Sequence, residues 1–581
     1  MSHPPTSPPA EPATPPVTRH CMGLPAWVLG AVVLTLVKLW FTSGQPLYAI
    51  GGATHDDALF VRLADSILSG AWLGSYDCLT LAKGPFYSMW MAGVFFVGLP
   101  LTLVQQLVYV GACILLVRAL LPLIPNDWLK LGIFALLLWN PMSFAGGELG
   151  RVLRQALTAP MALVLFAAAA ALYVRRGEPG KRLLPWAAIF GFTWGGFWLT
   201  REDGVWILPG LAIVGGAYLV GAWRDSRGAL LNIARVALVA TVTAAIPILA
   251  VCALNRHYYG WFGTVEFRAA EFKEAYGALL RVTPARRIPF VPVTREMRER
   301  IYAVSPSFAE LRPYLEGDTG RNWAANSSSL IHRPPQEREI GGGWFMWALR
   351  QTVAEAGHGH NAREALSFYA QIAREVNLAC EDGRLSAGPK RTGFMPPWQP
   401  GNLSDLWDKS MRFSWAFATL DGFTGRTPPS YGNATQLDQF RDLTRMRLSR
   451  PADASGYEYA LPHQKSLNAW KAGALQDLGE ILRKLALALI LAAQLTLLVR
   501  LARCVGDWRR STFPLVLAAA SWVGCASCLL VCALVDVTSF PAGSVVYFSP
   551  GYPLLFLFVV AIILDAVQVW NRSRRASAVK G

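Results

Sequence analysis

Two adjacent carboxylates, Asp56 and Asp57, follow His55 soon after the first apolar segment of the chain. A pair of this kind can act as a general base or hold a divalent metal ion. The same residues also suit an ordinary helix start, because an aspartate before the run 58–61 is a good N-terminal cap. The sequence leaves both interpretations open.

Three cations fall at comparable boundaries between polar and apolar segments. Lys83 stands before Pro85, at the positive end of the helix that this proline predicts, where an anionic phosphate is favoured. Arg151 and Arg154 are three residues apart, so they share one helical face and suit a phosphate or pyrophosphate. The alternative is that all three merely flank membrane helices.

Further candidates lie at the ends of other apolar segments. Arg201 is a fourth possible phosphate ligand, although Arg201, Glu202 and Asp203 would also form an internal ion pair in a tight turn. The remaining candidates are His55, Glu148, Glu202, Asp203 and Tyr547. The sequence contains no P-loop, dinucleotide-binding glycine motif, serine elbow or zinc spacing. An enzyme built on these residues would therefore use a donor other than a soluble nucleotide.

The elements that must position these residues are apolar and long. The 581 residues are 53% hydrophobic and 16% charged, whereas soluble proteins are about 25% charged. We predict an all-α polytopic membrane protein with about ten to twelve transmembrane helices, since each crossing needs roughly 20 apolar residues. The apolar stretches are 26–43, 102–124, 131–146, 156–174, 184–200, 205–222, 231–253, 479–499, 513–535 and 549–569, with a shorter one at 86–100.

The formal net charge of +16 is explained better by topology than by nucleic-acid binding, because most Lys and Arg residues lie in short loops and a tail. We expect no nucleic-acid partner. If the basic groups are all cytoplasmic, segment 86–100 does not cross the membrane, and the loops 44–85, 141–155, 201–204, 254–478 and 536–548 face outward. The basic groups are Arg175, Arg176, Lys181 and Arg182; Arg224 and Arg227; Arg500, Arg503, Arg509 and Arg510; and Arg572, Arg574, Arg575 and Lys580.

The predicted organisation follows from these loops. Residues 1–24 form a disordered cytoplasmic tail, and residues 25–253 form an N-terminal transmembrane module whose first outward loop is 44–85. Residues 254–478 are polar and form a mainly α soluble domain on the extracytoplasmic side. Residues 479–570 add C-terminal transmembrane helices, and 571–581 are a cytoplasmic tail. We expect a multi-pass protein of the cell (inner) membrane.

The motifs, taken in order, resemble the GT-C superfamily of membrane glycosyltransferases, in the branch of protein O-mannosyltransferases and the aminoarabinose transferase of lipid A. The resemblance covers roughly residues 26–253 and 479–569. The family often has Lys-Pro-Pro where this chain has Lys-Gly-Pro, and Arg-Tyr where it has Val-Tyr. The motifs are the acidic pair Asp56-Asp57, the segment Lys83-Gly84-Pro85-Phe86-Tyr87, the pair Arg151 and Arg154, and the late segment Tyr547 to Leu555.

The resemblance implies an inverting transfer of a sugar from a polyprenyl-phosphate-linked donor to an envelope glycan, lipid or protein at the outer face of the bilayer. It implies Asp56 or Asp57 as general base, with a divalent metal possible at this pair. It makes Lys83, Arg151, Arg154 and Arg201 the ligands of the donor phosphate. Two alternatives are a transporter or flippase of lipid-linked substrates, and a non-enzymatic envelope protein that binds through 254–478. The absence of an internal repeat counts against a transporter.

Overall fold

The computed structural model describes residues 25–225, 229–449, 462–506 and 511–578. The predicted tail 1–24 and the last residues of 571–581 lie outside this part, as do Arg227, Arg509 and Arg510. The described residues form α-helices and short 3₁₀ turns, with four isolated β-bridges and no strand. The prediction of an all-α polytopic membrane protein is confirmed.

The first helices in chain order are α1 (Ala26–Thr42), α2 (Asp57–Leu68), α3 (Phe86–Val97), α4 (Leu101–Leu120), α5 (Asp127–Leu138), α6 (Gln155–Val174), α7 (Gly180–Thr200), α8 (Leu208–Asp225) and α9 (Ala229–Tyr259). Next come α10 (Ala270–Arg281), α11 (Arg295–Tyr302), α12 (Pro306–Ala309), α13 (Arg312–Leu315), α14 (Asp318–Ile331), α15 (Gly342–Val353), α16 (Ala362–Glu381), α17 (Asn402–Ala418) and α18 (Ala434–Thr444). The last are α19 (Pro462–Val505), α20 (Phe513–Thr538), α21 (Val545–Phe548) and α22 (Tyr552–Ala578).

Seven of the described helices are long and apolar enough to cross a membrane, and an eighth crossing results if α5 and the bent segment Pro141–Gly150 are one span. The seven crossings involve α4, α6, α8, α9, α19, α20 and the segment from α21 to α22. This is fewer than the ten to twelve helices predicted. The difference arises because α1 has 17 residues, because α5 has 12 and a bend of 60° separates it from Pro141–Gly150, and because α7, with Lys181 and Arg182 in its first turn, is not among the seven.

Helix α3 begins and ends at the same end of the bundle. Its twelve residues span about 18 Å, compared with the roughly 30 Å thickness of the hydrocarbon core. Gly98, at φ 81°, ends the helix in the left-handed conformation, and Pro100 precedes the next one. Near this turn Arg445 donates to the Phe95 carbonyl at 3.4 Å, and Thr102 contacts Met446. The arrangement agrees with a segment 86–100 that does not cross.

The opposite end of the bundle collects basic side chains. Arg175 donates at 2.7 Å to the carbonyls of both Arg118 and Ala119, at the end of α4. The side chain of Arg176 lies against Gly221, near the end of α8. The ends of α4, α6 and α8 therefore meet at one side, as the positive-inside pattern requires of loops that share a compartment.

Residues from 265 to 385 build a separate apolar core around α10, α15 and α16, and the first loop is bound to it. Arg350 forms a buried ion pair with Glu266, which also accepts a 2.6 Å hydrogen bond from Tyr76. Arg350 also donates to the carbonyls of Cys78 at 2.8 Å and Thr80 at 2.7 Å. The loop that carries Lys83 is thereby held against the segment 265–385.

The later part of 254–478 packs elsewhere. Phe413 and Phe417 of α17 belong to the core of the helix bundle, alongside α20. Phe440 of α18 joins Phe60 and Tyr87 in a third apolar cluster, beneath α2 and α3. Residues 402–448 thus pack on the helix bundle, whereas the boundaries and sidedness of the domain 254–478 stay predictions.

We predict that single cysteines placed at Ser69 and Gly177 label from opposite sides of the membrane. Both positions are exposed and lie at opposite ends of the bundle. A membrane-impermeant thiol reagent applied to intact cells should modify the cysteine of Ser69→Cys but not that of Gly177→Cys, and the parent chain corrects for its native cysteines. Labelling of both variants from one side would refute the arrangement.

Candidate functional site

The predicted site residues meet at one end of the bundle, where the start of α2 faces three loops. Asp56 immediately precedes α2 but makes no capping hydrogen bond with its side chain. Its carboxylate instead forms an ion pair with Lys83. The side chain of Asp56 therefore belongs to the charged cluster and does not act as a helix cap.

Lys83 is buried among aromatic rings and points at Asp56. It is 8% exposed, and its Nζ lies 5.3 Å from the centre of the Phe60 ring and 5.9 Å from that of Trp347. The Asp56 side chain remains 54% exposed, although protein surrounds it on several sides. This carboxylate is accessible to a ligand, and its orientation is set by a buried cation.

Asp57 has a different environment from its neighbour. Its side chain is fully buried, and Arg151 donates to its two carboxylate oxygens at 2.6 and 3.1 Å. The third guanidinium nitrogen of Arg151 donates to Glu148 at 2.8 Å. Each nitrogen of Arg151 is thus engaged by a carboxylate, and this triad joins α2 to the loop before α6.

Arg154 lies one turn further on and contacts the loop after α7. It donates at 2.6 Å to Glu202 and at 2.9 Å to the carbonyl of Thr200. The other oxygen of Glu202 accepts a 2.8 Å hydrogen bond from the backbone N–H of Gly84. A Cβ atom at Gly84 would lie 2.0 Å from the Leu199 carbonyl oxygen. The departure from Lys-Pro-Pro therefore has a physical reason, because proline has no N–H and would not fit.

Arg201 is held by Asp203 and by the loop after α9. Its guanidinium donates to both oxygens of Asp203, at 2.7 and 2.5 Å, and the residue is 4% exposed. Among the described residues, its remaining nitrogen, Nη1, has no hydrogen-bond partner. Arg268 donates to the Arg201 carbonyl at 2.7 Å and was not anticipated from the sequence.

Aromatic side chains from the segment 265–385 form a wall beside these charges. The His55 ring lies edge-on to Trp323 and Trp347, with centroids 5.0 and 4.8 Å away. Trp347 in turn contacts Phe267 at 5.1 Å. Tyr547 is close enough for the charges of Asp56 and Arg201 to act on it. The tryptophans were not predicted as site residues because α14 and α15 are about 270 residues from Asp56 in sequence, and no local pattern marks them.

The cations control the ionisation of the exposed carboxylate. Burial raises the pKa of Asp56, but Lys83, Arg154 and Arg151 together outweigh it and hold the pKa below its ordinary value. Burial, followed by the charge of Lys83, lowers the pKa of His55. At neutral pH the site therefore contains an ionised Asp56 beside an uncharged imidazole.

The Asp56-Asp57 pair fits a divalent ion poorly. Arg151 engages both oxygens of Asp57, and Lys83 is bonded to Asp56. Within the described ranges, no three His, Cys, Asp or Glu side chains come together as metal ligands. The chemistry of this site is therefore assigned to its side chains and not to a metal ion.

Comparisons with known proteins give matches at the level of structure. No protein-family model and no curated protein matches the chain. ArnT from Cupriavidus metallidurans bound to undecaprenyl phosphate is similar at 12% identity and a TM-score of 0.30, with 94% of this chain and 78% of that chain covered. The apo state of ArnT matches at 13% identity and 0.30, covering 92% and 77%. The apo oligosaccharyltransferase of Archaeoglobus fulgidus matches at 13% and 0.27, covering 78% and 69%.

These solved structures are what the chain is similar to, and the GT-C resemblance itself rests on the ordered motifs of the sequence. At these TM-scores the likeness carries no argument about individual residues. Their roles are therefore argued from the geometry of this chain.

We predict that Gly84→Ala destabilises the protein. The added methyl group meets the Leu199 carbonyl and forces the loop away from Glu202, and overpacking of this kind costs about 1–3 kcal/mol. The apparent melting temperature of the detergent-solubilised protein should fall. Gly93→Ala in α3 is the control, because a Cβ atom there meets nothing within 4 Å. Equal melting temperatures for both variants would contradict the proposed close approach.

Proposed function

We propose that this protein is an integral membrane glycosyltransferase that transfers a sugar from a polyprenyl-phosphate-linked donor to an acceptor hydroxyl at the extracytoplasmic face. The observation that carries the proposal is the accessible, ionised Asp56 beside Lys83, with Arg154 and Arg201 in the same cluster. A base next to several cations suits a reaction that removes a proton from one group and releases an anion from another.

Asp56, and not Asp57, is the general base in this proposal. A base must reach the proton that it accepts, and the side chain of Asp56 is 54% exposed whereas that of Asp57 is fully buried. Asp57 is instead a positioning residue, because its paired contact with Arg151 fixes the first turn of α2.

The donor phosphate is assigned to Lys83, Arg154 and Arg201. The Nη1 group of Arg201 has no partner within the described part of the chain, and the two hydrogen bonds of Arg154 both come from Nη1. Lys83 has two further N–H groups besides the one directed at Asp56. Arg151 is no longer proposed as a phosphate ligand, since its three nitrogens serve Asp57 and Glu148.

The chemistry is a single displacement at the anomeric carbon. Asp56 accepts the proton of the acceptor hydroxyl while that oxygen forms a bond to the anomeric carbon from the face opposite the phosphate. The bond between this carbon and the phosphate oxygen breaks, and the phosphate leaves with the electron pair. Lys83, Arg154 and Arg201 stabilise the negative charge that develops on the leaving group. Attack from the opposite face inverts the anomeric configuration.

The placement of the cluster suits a lipid-linked donor. The charges gather at the side of the bundle where the apolar helices α4, α6 and α8 begin, and a phosphate headgroup sits at such a boundary when its polyprenyl chain is in the bilayer. We assign this end to the extracytoplasmic side of the cell membrane because the opposite end carries the arginines of the short loops. The acceptor is a glycan, a lipid or a protein.

We expect Asp56→Asn to abolish sugar transfer, with a loss of about 100-fold or more in kcat, because the amide cannot accept the acceptor proton. Transfer from a polyprenyl-phosphate-linked sugar is measured with the purified protein in nanodiscs. The matched variant Asp57→Asn should lower both activity and melting temperature, because it leaves the Arg151 guanidinium poorly paired. Full activity in Asp56→Asn would remove the proposed base.

The pH profile tests the coupling between Asp56 and Lys83. In the native protein the base is ionised down to a pH below its ordinary pKa, so activity is lost only as pH falls through that lowered value. In Lys83→Met burial still raises the pKa of Asp56 while the main opposing charge is gone. The acidic limb of kcat/KM should therefore move to higher pH.

Lys130→Met removes a similar lysine that pairs with Asp127 at 2.7 Å, outside the site. This control should leave the acidic limb in place. A uniform loss of activity in Lys83→Met without movement of the limb would contradict the coupling.

A further inference from the structure

A polar cavity lies inside the helix bundle, next to the charged cluster. Its volume is about 110 Å³, which is room for several water molecules or for a small polar ligand. Helices α4 and α6, the turn after α5 and the start of α22 all contribute to its lining. The lining is unusual for a membrane bundle because amide and hydroxyl groups are common in it: Gln105, Gln106, Tyr109, Asn140, Gln155 and Tyr552.

Three residues of this lining carry buried polar atoms without a hydrogen-bond partner in the described part of the chain. They are Oε1 of Gln106, Oε1 of Gln155 and the hydroxyl of Tyr552, whose residue is only 1% exposed. Burial of such groups without a partner costs free energy, about 1–3 kcal/mol for each. Three of them around one cavity indicate that a hydrogen-bonding ligand or water occupies it.

The cavity is joined to the cluster through one short segment. Residues 146–156 direct Arg151 and Arg154 to Asp57 and Glu202, and the same segment contributes Gln155 to the cavity. On the other side Tyr547 faces the charges, whereas Tyr552, five residues later, lines the cavity. The cavity therefore lies behind the segment that carries Arg151 and Arg154.

We propose that this cavity binds the sugar ring of the donor and that it selects an uncharged, hydroxyl-rich sugar. Amide side chains both donate and accept hydrogen bonds, so they match sugar hydroxyls, which do the same. This inference rests on the proposed function, since it assigns the phosphate of the same donor to Lys83, Arg154 and Arg201.

The charges near the cavity favour an uncharged sugar over an amino sugar. Glu148 is the lining carboxylate among the described residues, and Arg151 already engages it. Behind the lining, the fully buried Lys38 donates from its Nζ to Ser143 at 2.8 Å. A cationic sugar would therefore find no free carboxylate among the described lining residues.

The test measures binding to the full-length protein in nanodiscs, with three kinds of synthetic short-chain probe. The first is polyprenyl phosphate without a sugar, the second carries glucose, galactose or mannose, and the third carries an amino sugar. Intrinsic tryptophan fluorescence reports the dissociation constants. We expect at least one uncharged hexosyl probe to bind about tenfold or more tightly than the sugar-free probe, as a few sugar hydrogen bonds would provide. The amino-sugar probe should show no such gain.

Gln155→Leu and Gln106→Leu should each remove most of the gain from the sugar, while leaving the affinity for the sugar-free probe unchanged. Gln155→Leu is the cleaner variant, because Gln106→Leu would also lose the 2.9 Å hydrogen bond that Gln106 donates to the Ser143 carbonyl. Gln371→Leu, at an exposed position of α16 outside the cavity, makes the same chemical change and should alter nothing.

The outcomes separate the two proposals. Failure of every probe to bind, or full transfer by Asp56→Asn, would overturn the proposed function itself. Binding of the sugar-free probe with the same affinity as all hexosyl probes would mean that the cavity holds water only. A tighter amino-sugar probe, or variants that weaken all probes equally, would also overturn the sugar assignment.

Discussion

Charged groups at the end of an apolar helix bundle must be paired, because an isolated charge near hydrocarbon is costly. This constraint organises the site. Asp57 is bound by Arg151, Glu202 by Arg154, and Asp203 by Arg201. The first two pairs join segments that are distant in sequence, and the pair of Arg201 and Asp203 closes the turn between α7 and α8. The ion pairs therefore hold the loops in place, and the loops in turn position the accessible carboxylate of Asp56.

The same constraint makes neighbouring aspartates unequal. Asp57 points into the protein, where two hydrogen bonds from a guanidinium stabilise it, and it has no exposed surface. Asp56 points out of α2 and meets a single lysine, whose remaining N–H groups are free for another anion. In the proposed function, Asp57 keeps the start of α2 in place and Asp56 acts as the base.

Segment 265–385 contributes to the site from outside the helix bundle. Through Glu266 and Arg350 it holds the loop that carries Lys83, and through Trp323 and Trp347 it covers His55. Tyr76, Cys78 and Thr80 of this loop are all hydrogen-bonded to the buried pair of Glu266 and Arg350. The charge cluster and the aromatic wall therefore form one site that depends on both parts of the chain.

Hydropathy and the distribution of Lys and Arg were sufficient to predict an all-α membrane protein and to single out the acidic pair, Lys83 and the arginines. These features depend on local sequence, because a membrane crossing needs a continuous apolar stretch and a candidate residue lies at its end. Sequence patterns predicted more crossings than the seven long apolar helices of the described residues, since the length of α1 and the bend after α5 depend on packing.

Pairing between residues distant in sequence was decided by the tertiary structure alone. Nothing in the order of residues shows that Arg151 would turn to Asp57 across 94 positions, or that Gly84 would donate to Glu202 across 118. The distinction between Asp56 and Asp57 and the polar cavity behind them depend on which side chains meet in space. Burial and hydrogen bonding are properties of those contacts, so they could be known only once the helices were packed.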